Sequence, residues 1–238
     1  MALAGMPVCC RCFARAVLLA AVLGAAVAVV HAESVGRWEK AIAAMEAKDR
    51  ESPPAKEGIV FVGSSSIRLW DLEKAFPDLP VVNRGFGGSC MADVLLYAPR
   101  IVVPLAPKLV VVYAGDNDIK AGTSPAQVHD EFDCLAKLIH RNLPDARIWC
   151  IGVKPSPARW SLIEKQREVN ALLKSRCEKD PARMLFLDVE PIMLATDGLP
   201  DESLFVKDKL HLSPAGYARW NKLLRDALAE QNLLPSQP

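Results

Sequence analysis

Neither sign of charge prevails in this chain of 238 residues, where 29 lysines and arginines stand against 28 aspartates and glutamates. With no basic stripe and no acidic tail, a nucleic-acid binder held by charge is excluded. Metal-ligand spacings are missing as well: beyond residue 32 there is no C-x-x-C and no H-x-x-x-H, so a dedicated zinc site is not expected. No internal repeat or low-complexity block argues for a solenoid or a second domain. The charge-free stretch Ala16 to Val30 is shorter than the roughly 20 residues that span a bilayer. The G-x-S-x-G elbow is absent too, because Ile67 stands where its last glycine belongs.

What is present begins with that charge-free stretch. Arg11 and Arg15 precede it and Val30-His31-Ala32 follows, with small residues spaced as a signal peptidase requires. The expectation is a secretory signal peptide over residues 1–32, cleaved after Ala32, and a secreted or periplasmic product with no stable membrane span. Cleavage removes two arginines and no acid, turning a formal charge of +1 into −1. Cys90, Cys134, Cys150 and Cys177 remain. Export permits disulfides, but Cys134 and Cys150 sit in apolar surroundings where a buried free thiol is equally ordinary, so pairing stays open.

Residues 33–238 read as one domain. A helical lead-in from Val35 to Lys48 places Trp38, Ile42 and Met45 on one face and ends in the polar stretch Asp49 to Glu57. Continuous apolar runs then recur at Ile59 to Val62, Val81-Val82, Leu109 to Tyr113, Ile148 to Val153 and Met184 to Val189. Such runs mark strands covered on both faces, as in a parallel sheet. Helix starts separate them: Ser124-Pro125, the capping-box pattern Ser161 to Glu164, and Ser213-Pro214. The pattern predicts a doubly wound α/β domain of about five parallel strands, whose ligands gather at the carboxyl ends of the strands.

Chemistry-bearing residues fall at those ends. Gly63-Ser64-Ser65-Ser66 follows the first strand, where a glycine permits a sharp turn and a serine opens a helix; a plain N-cap serine is the bland alternative. Asn83 to Cys90 follows the second. It begins like a dinucleotide fingerprint but has Cys90 in the sixth position and follows the wrong strand, so no nucleotide cofactor is expected, while Gly88 can bring its N–H close to a ligand oxygen. Gly115-Asp116-Asn117-Asp118 follows the third, where the uncharged Asn117 amide suits an oxyanion and an Asx turn is the plain alternative. Lys120 and Gln127 break any calcium-loop pattern there. Before the last helix, Asp208 stands three residues ahead of His211 and can fold back to accept from its Nδ1, leaving Nε2 to take a proton. His129 and His140 lie on a helix and read as structural. The set supplies a nucleophile, a base, an orienting carboxylate and three oxyanion donors, namely the Ser65 and Gly88 N–H groups and the Asn117 amide.

These four blocks, in this order, resemble the SGNH (GDSL-type) hydrolase family. Phe61 to Ser65 is similar to its block I, Gly85 to Gly88 to block II, Gly115 to Asp118 to block III and Asp208 to His211 to block V. In block I, Ser64 stands in place of the usual aspartate and Ser66 in place of leucine. The resemblance implies a flavodoxin-like three-layer α/β/α fold and no metal or organic cofactor. By register it implies Ser65 as nucleophile, Asp208 and His211 as its triad partners, and Gly88 and Asn117 as oxyanion donors. It implies hydrolysis of lipid acyl esters, acetylated sugars or thioesters. The alternatives are a binding module holding an anionic ligand on the same rim and an acyltransferase. The loops Lys154 to Trp160 and Gly198 to Lys207 are placed to shape the pocket.

Overall fold

Five strands, β1 (Ile59–Gly63), β2 (Val81–Gly85), β3 (Leu109–Tyr113), β4 (Arg147–Ile151) and β5 (Met184–Leu187), pair in parallel in the order β2-β1-β3-β4-β5. They belong to a computed structural model that describes residues 36–234. The expected signal peptide lies outside the described residues. Among those residues, no helix is long and apolar enough to cross a membrane.

The apolar runs become strands because both faces are covered, and β1 and β3 are buried at every position. One face meets helices α2 (Ser65–Arg68), α3 (Leu72–Ala75), α8 (Glu190–Met193) and α9 (Pro214–Glu230), through a core that includes Phe61, Trp70, Phe76, Tyr113, Trp149 and Trp220. Its aromatic rings pack edge-on and tilted, with Trp70 5.4 Å from both Phe61 and Trp220. The other face carries α4 (Met91–Ile101), α6 (Pro125–Asn142) and α7 (Ile163–Glu178), which pack against one another. The result is a three-layer α/β/α fold.

Proline at the first helical position and a serine cap start α6 and α9, with Ser124 accepting from the Gln127 N–H and Ser213 from the Gly216 N–H. The expected capping box at Ser161 does not form. A 3-10 turn, Pro157–Leu162, runs straight into α7, so Leu162 occupies the cap and Ser161 lies inside the turn. Helix α1 covers 36–51, past the expected end at Lys48, because its last turns are engaged: Glu46 bonds Arg100 and Asp49 pairs with the buried Arg84. Residues 36–41 form a unit apart from the compact body that starts at Ile42, and there Arg37 stacks on Trp38. Among the described residues Cys90, Cys134, Cys150 and Cys177 are free thiols, and Cys134 is exposed rather than apolar in its surroundings, since it lies on the outer side of α6.

Strand order fixes where a site can lie. From β1 the chain first moves to β2, then crosses back over β1 to β3 and continues outward to β4 and β5. The direction of winding reverses between β1 and β3, and a crevice opens at their carboxyl ends.

Candidate active site

Gly63 ends β1 at that crevice with φ of +146°, and a side chain there would come within 1.9 Å of the Tyr113 carbonyl oxygen at the end of β3. Only glycine lets the chain pass so close. The Ser64 N–H donates to that same carbonyl, 3.0 Å away, and α2 begins at once. Three adjacent serines therefore meet three different environments: Ser64 and Ser66 are each 2% exposed, whereas Ser65 faces the crevice half-buried.

The partners of Ser65 come from the segment before α9. His211 Nε2 lies 2.9 Å from Ser65 Oγ, and His211 Nδ1 lies 2.6 Å from Asp208 Oδ2. The other oxygen, Asp208 Oδ1, accepts from the N–H groups of Leu210 and His211, each at 2.9 Å. This turn closes on itself: the Val206 N–H donates to His211 O, the Lys209 N–H to Val206 O, and Lys209 takes a φ of +57°. Partial burial opposes the charge on Asp208. The hydrogen bonds from the His211 ring and the two N–H groups outweigh it and hold the carboxyl at about 2. Helix α9 is tied to the serine turn, with Tyr217 Oη donating to Ser66 O at 2.9 Å and Trp70 Nε1 donating to Asn221 Oδ1 at 2.8 Å.

The loops after β2 and β3 carry Gly88 and Asn117. Gly88, after β2, has φ of +83°, and the Phe86 N–H of the same turn bonds Gly63 O. Asn117, in the first turn of α5 (Asp116–Ala121), donates from Nδ2 to Ser89 O at 3.0 Å, which joins the β2 and β3 loops. Asp118 joins them again, accepting from Met91 N at 2.8 Å and Gly115 N at 3.0 Å. Burial, with the charge of Glu131 adding to it, outweighs these hydrogen bonds and pushes its carboxyl up to about 6.

Beneath Asn117 is a feature the spacing of residues did not announce. Asp116, Lys154 and Arg159 form buried ion pairs of 3.1 Å (Lys154 Nζ to Asp116 Oδ2) and 2.6 Å (Arg159 Nη1 to Asp116 Oδ1). Burial works against the Asp116 charge, but attraction to Lys154 and Arg159 outweighs it and keeps the carboxyl below its ordinary value. Lys154 and Arg159 belong to a loop read from the sequence only as pocket-shaping.

The Ser65, Asp208 and His211 side chains thus meet in one hydrogen-bonded chain, with Asn117 and Gly88 on loops of the same crevice. His140, in the last turn of α6, is partly buried, and burial depresses its pKa; His129 pairs with the neighbouring Asp130 on the same helix. Among the described residues no group of three or more His, Cys, Asp or Glu side chains is set to hold a metal ion.

Flanking His211 is an open groove of about 840 Å³, lined by the apolar Leu69, Trp70, Val206, Leu212 and Tyr217 and by the polar Asp71, Lys74, Asn221 and Arg225. Leu69 is 44% and Val206 42% exposed, so the groove presents apolar side chains to solvent beside the histidine.

Comparison with known proteins places this architecture among hydrolases of carboxylic esters. The sequence profile of the GDSL-like Lipase/Acylhydrolase family matches residues 68–219, and the chain belongs to that family. The match begins just past Ser65 and takes in Gly88, Asn117, Asp208 and His211. No curated protein matches the sequence. Among solved structures, a protein from Streptococcus pneumonia is similar with a TM-score of 0.74 at 20% identity, over 86% of this chain and 99% of its own. A GDSL-like lipase from Bacteroides thetaiotaomicron is similar with a TM-score of 0.64 at 21% identity, over 82% and 97%. An acetylxylan esterase from Geobacillus stearothermophilus, in a catalytic mutant, gives 0.62 at 15% identity, over 77% and 99%. At these identities the likeness is one of fold.

Proposed function

We propose that this chain is an exported serine esterase in which Ser65 is acylated and then released by water. The observation that carries the reading is the unbroken line from Asp208 through His211 to Ser65, at 2.6 and 2.9 Å, at the reversal point of the sheet. Ser65 Oγ attacks the ester carbonyl as His211 Nε2 takes its proton, and the ionised Asp208 stabilises the imidazolium and fixes the ring by its Nδ1. Negative charge on the former carbonyl oxygen is met by the Ser65 and Gly88 N–H groups and the Asn117 amide. His211 then gives its proton to the leaving alcohol, and in the second half-reaction it draws one from water.

Because the leaving oxygen must receive the histidine proton, the alcohol portion lies on the His211 side, where the groove offers the exposed apolar side chains of Leu69 and Val206. We therefore assign to the groove an apolar alcohol portion. A panel of chromogenic and aliphatic esters with a constant acyl group should show kcat/KM rising with the apolar size of the alcohol. Leu69→Asp should flatten that rise through KM while leaving the smallest alcohols unaffected. No dependence on the alcohol, with a dependence on acyl length alone, would move the specificity to the other side of Ser65.

Export rests on the charge-free run Ala16 to Val30 and the small-residue site ending at Ala32. Intact mass of material recovered outside the cytoplasm should begin at Glu33; a membrane-bound chain that keeps Met1 would count against cleavage.

A further inference from the structure

Asn117 is held at both ends of its amide. Nδ2 donates to Ser89 O at 3.0 Å, and Oδ1 accepts from Arg159 Nη2 at 3.0 Å. A flipped amide would set its NH₂ against a guanidinium and its oxygen against a carbonyl, two repulsions in place of two hydrogen bonds. One hydrogen of Nδ2 then remains for an incoming oxygen. Arg159 is itself held from below. Its Nη1 reaches Asp116 Oδ1, which Gln166 Nε2 also approaches at 3.3 Å, while Lys154 Nζ bonds Asp116 Oδ2 and Tyr113 Oη at 3.1 and 3.2 Å. The side chains of Lys154, Asp116 and Arg159 are 1%, 6% and 12% exposed.

Three buried charges are a costly way to brace a loop, since well-packed apolar side chains would do as well or better. What apolar side chains cannot do is orient an amide. In a site of low dielectric, a donor hydrogen-bonded to a cation through its own oxygen is also a stronger donor. From the same loop the Ala158 N–H donates to Lys209 O at 3.1 Å, in the turn that carries Asp208.

The geometry points to Arg159 as a positioning residue for ester hydrolysis: its guanidinium, seated on the buried Asp116–Lys154 pair, locks the Asn117 amide with its NH₂ toward the oxyanion and polarises it. Arg159 acts through Asn117, and the inference rests on the reading of Asn117 as an oxyanion donor. A lysine is a point charge and cannot bridge Asp116 and Asn117 together as the planar guanidinium does.

A double-mutant cycle on the full chain tests this, with kcat and KM measured for a small ester. Asn117→Ala should lower kcat roughly 10²- to 10³-fold, the usual loss for one such donor. Arg159→Met should lower kcat by about 10-fold with KM within about twofold, because the donor survives but loses its fixed orientation. The double variant should be no slower than Asn117→Ala alone, and Arg159→Lys should fall between Arg159→Met and wild type. The acid limb of the pH profile should stay where it is in all four variants. Losses that multiply in the double variant would overturn the inference, as would an Arg159→Met effect confined to KM, which would make Arg159 a substrate contact. If Arg159→Met does not fold, as judged by near-UV circular dichroism, Arg159→Lys carries the same cycle. An unchanged kcat in Asn117→Ala would instead remove the donor reading on which the inference stands.

Discussion

Ser65→Ala should lose ester hydrolysis almost entirely, by roughly 10⁴- to 10⁶-fold in kcat, while Ser64→Ala and Ser66→Ala keep substantial activity. The expectation follows from three neighbours in one turn. Ser65 alone of the three reaches the crevice, and its Oγ is the one His211 approaches; Ser64 and Ser66 are buried. Ser66 serves the fold through its carbonyl, which Tyr217 bonds, and that group survives substitution by alanine. The residual rate in Ser65→Ala reports what the donors of the crevice achieve without a covalent step. Initial rates on a short-chain chromogenic ester, with circular dichroism to confirm folding, are sufficient. Substantial turnover by a folded Ser65→Ala protein would transfer the nucleophile elsewhere.

The second large effect concerns the base. Asp208 is held at about 2, so it is ionised wherever the enzyme works and contributes no acid limb of its own; an acid limb in kcat/KM reports the need for the base to be free to take the serine proton. Asp208→Asn should cost roughly 10³- to 10⁴-fold in kcat, because an amide can hold the ring in the wrong tautomer and cannot stabilise imidazolium. The turn itself should persist, since the amide oxygen can still accept from the Leu210 and His211 N–H groups. Asp118 is the other acid that titrates nearby, at about 6. Its raised value gives the opposite sign in stability: the folded state holds that proton more tightly, so Asp118 costs stability as pH rises from about 4 to 6, and this does not create an activity limb. The limb should therefore keep its midpoint in Asp118→Asn, His129→Ala and His140→Ala. A limb that follows any of those three would remove the base from His211.

Strands buried on both faces were the most legible part of the sequence. Ile59 to Val62 and Leu109 to Tyr113 announce themselves because nothing polar can occupy a central parallel strand. Strand β2 was read as Val81-Val82 alone, yet it continues to Gly85, because at the sheet edge polar residues find partners: Asn83 Nδ2 donates to Ile67 O at 2.7 Å and Arg84 pairs with Asp49. The Asp208 and His211 pairing was legible because its two members share one short turn. The bond from Arg159 to Asn117 was not, since its members come from loops after different strands and no periodicity links them. The false capping box at Ser161 has a similar origin: the local pattern was sound, but Pro157 had already begun a 3-10 turn that enters α7 directly.

The claim that Ser65 is the nucleophile of this ester hydrolase is tested most directly by a fluorophosphonate, which phosphonylates an activated serine and loses fluoride. After labelling, digestion and mass mapping, a single adduct should fall on Ser65, absent from Ser65→Ala and slowed sharply in His211→Ala. An adduct on Ser64 or Ser66, or equal labelling of wild type and Ser65→Ala at another site, would contradict it.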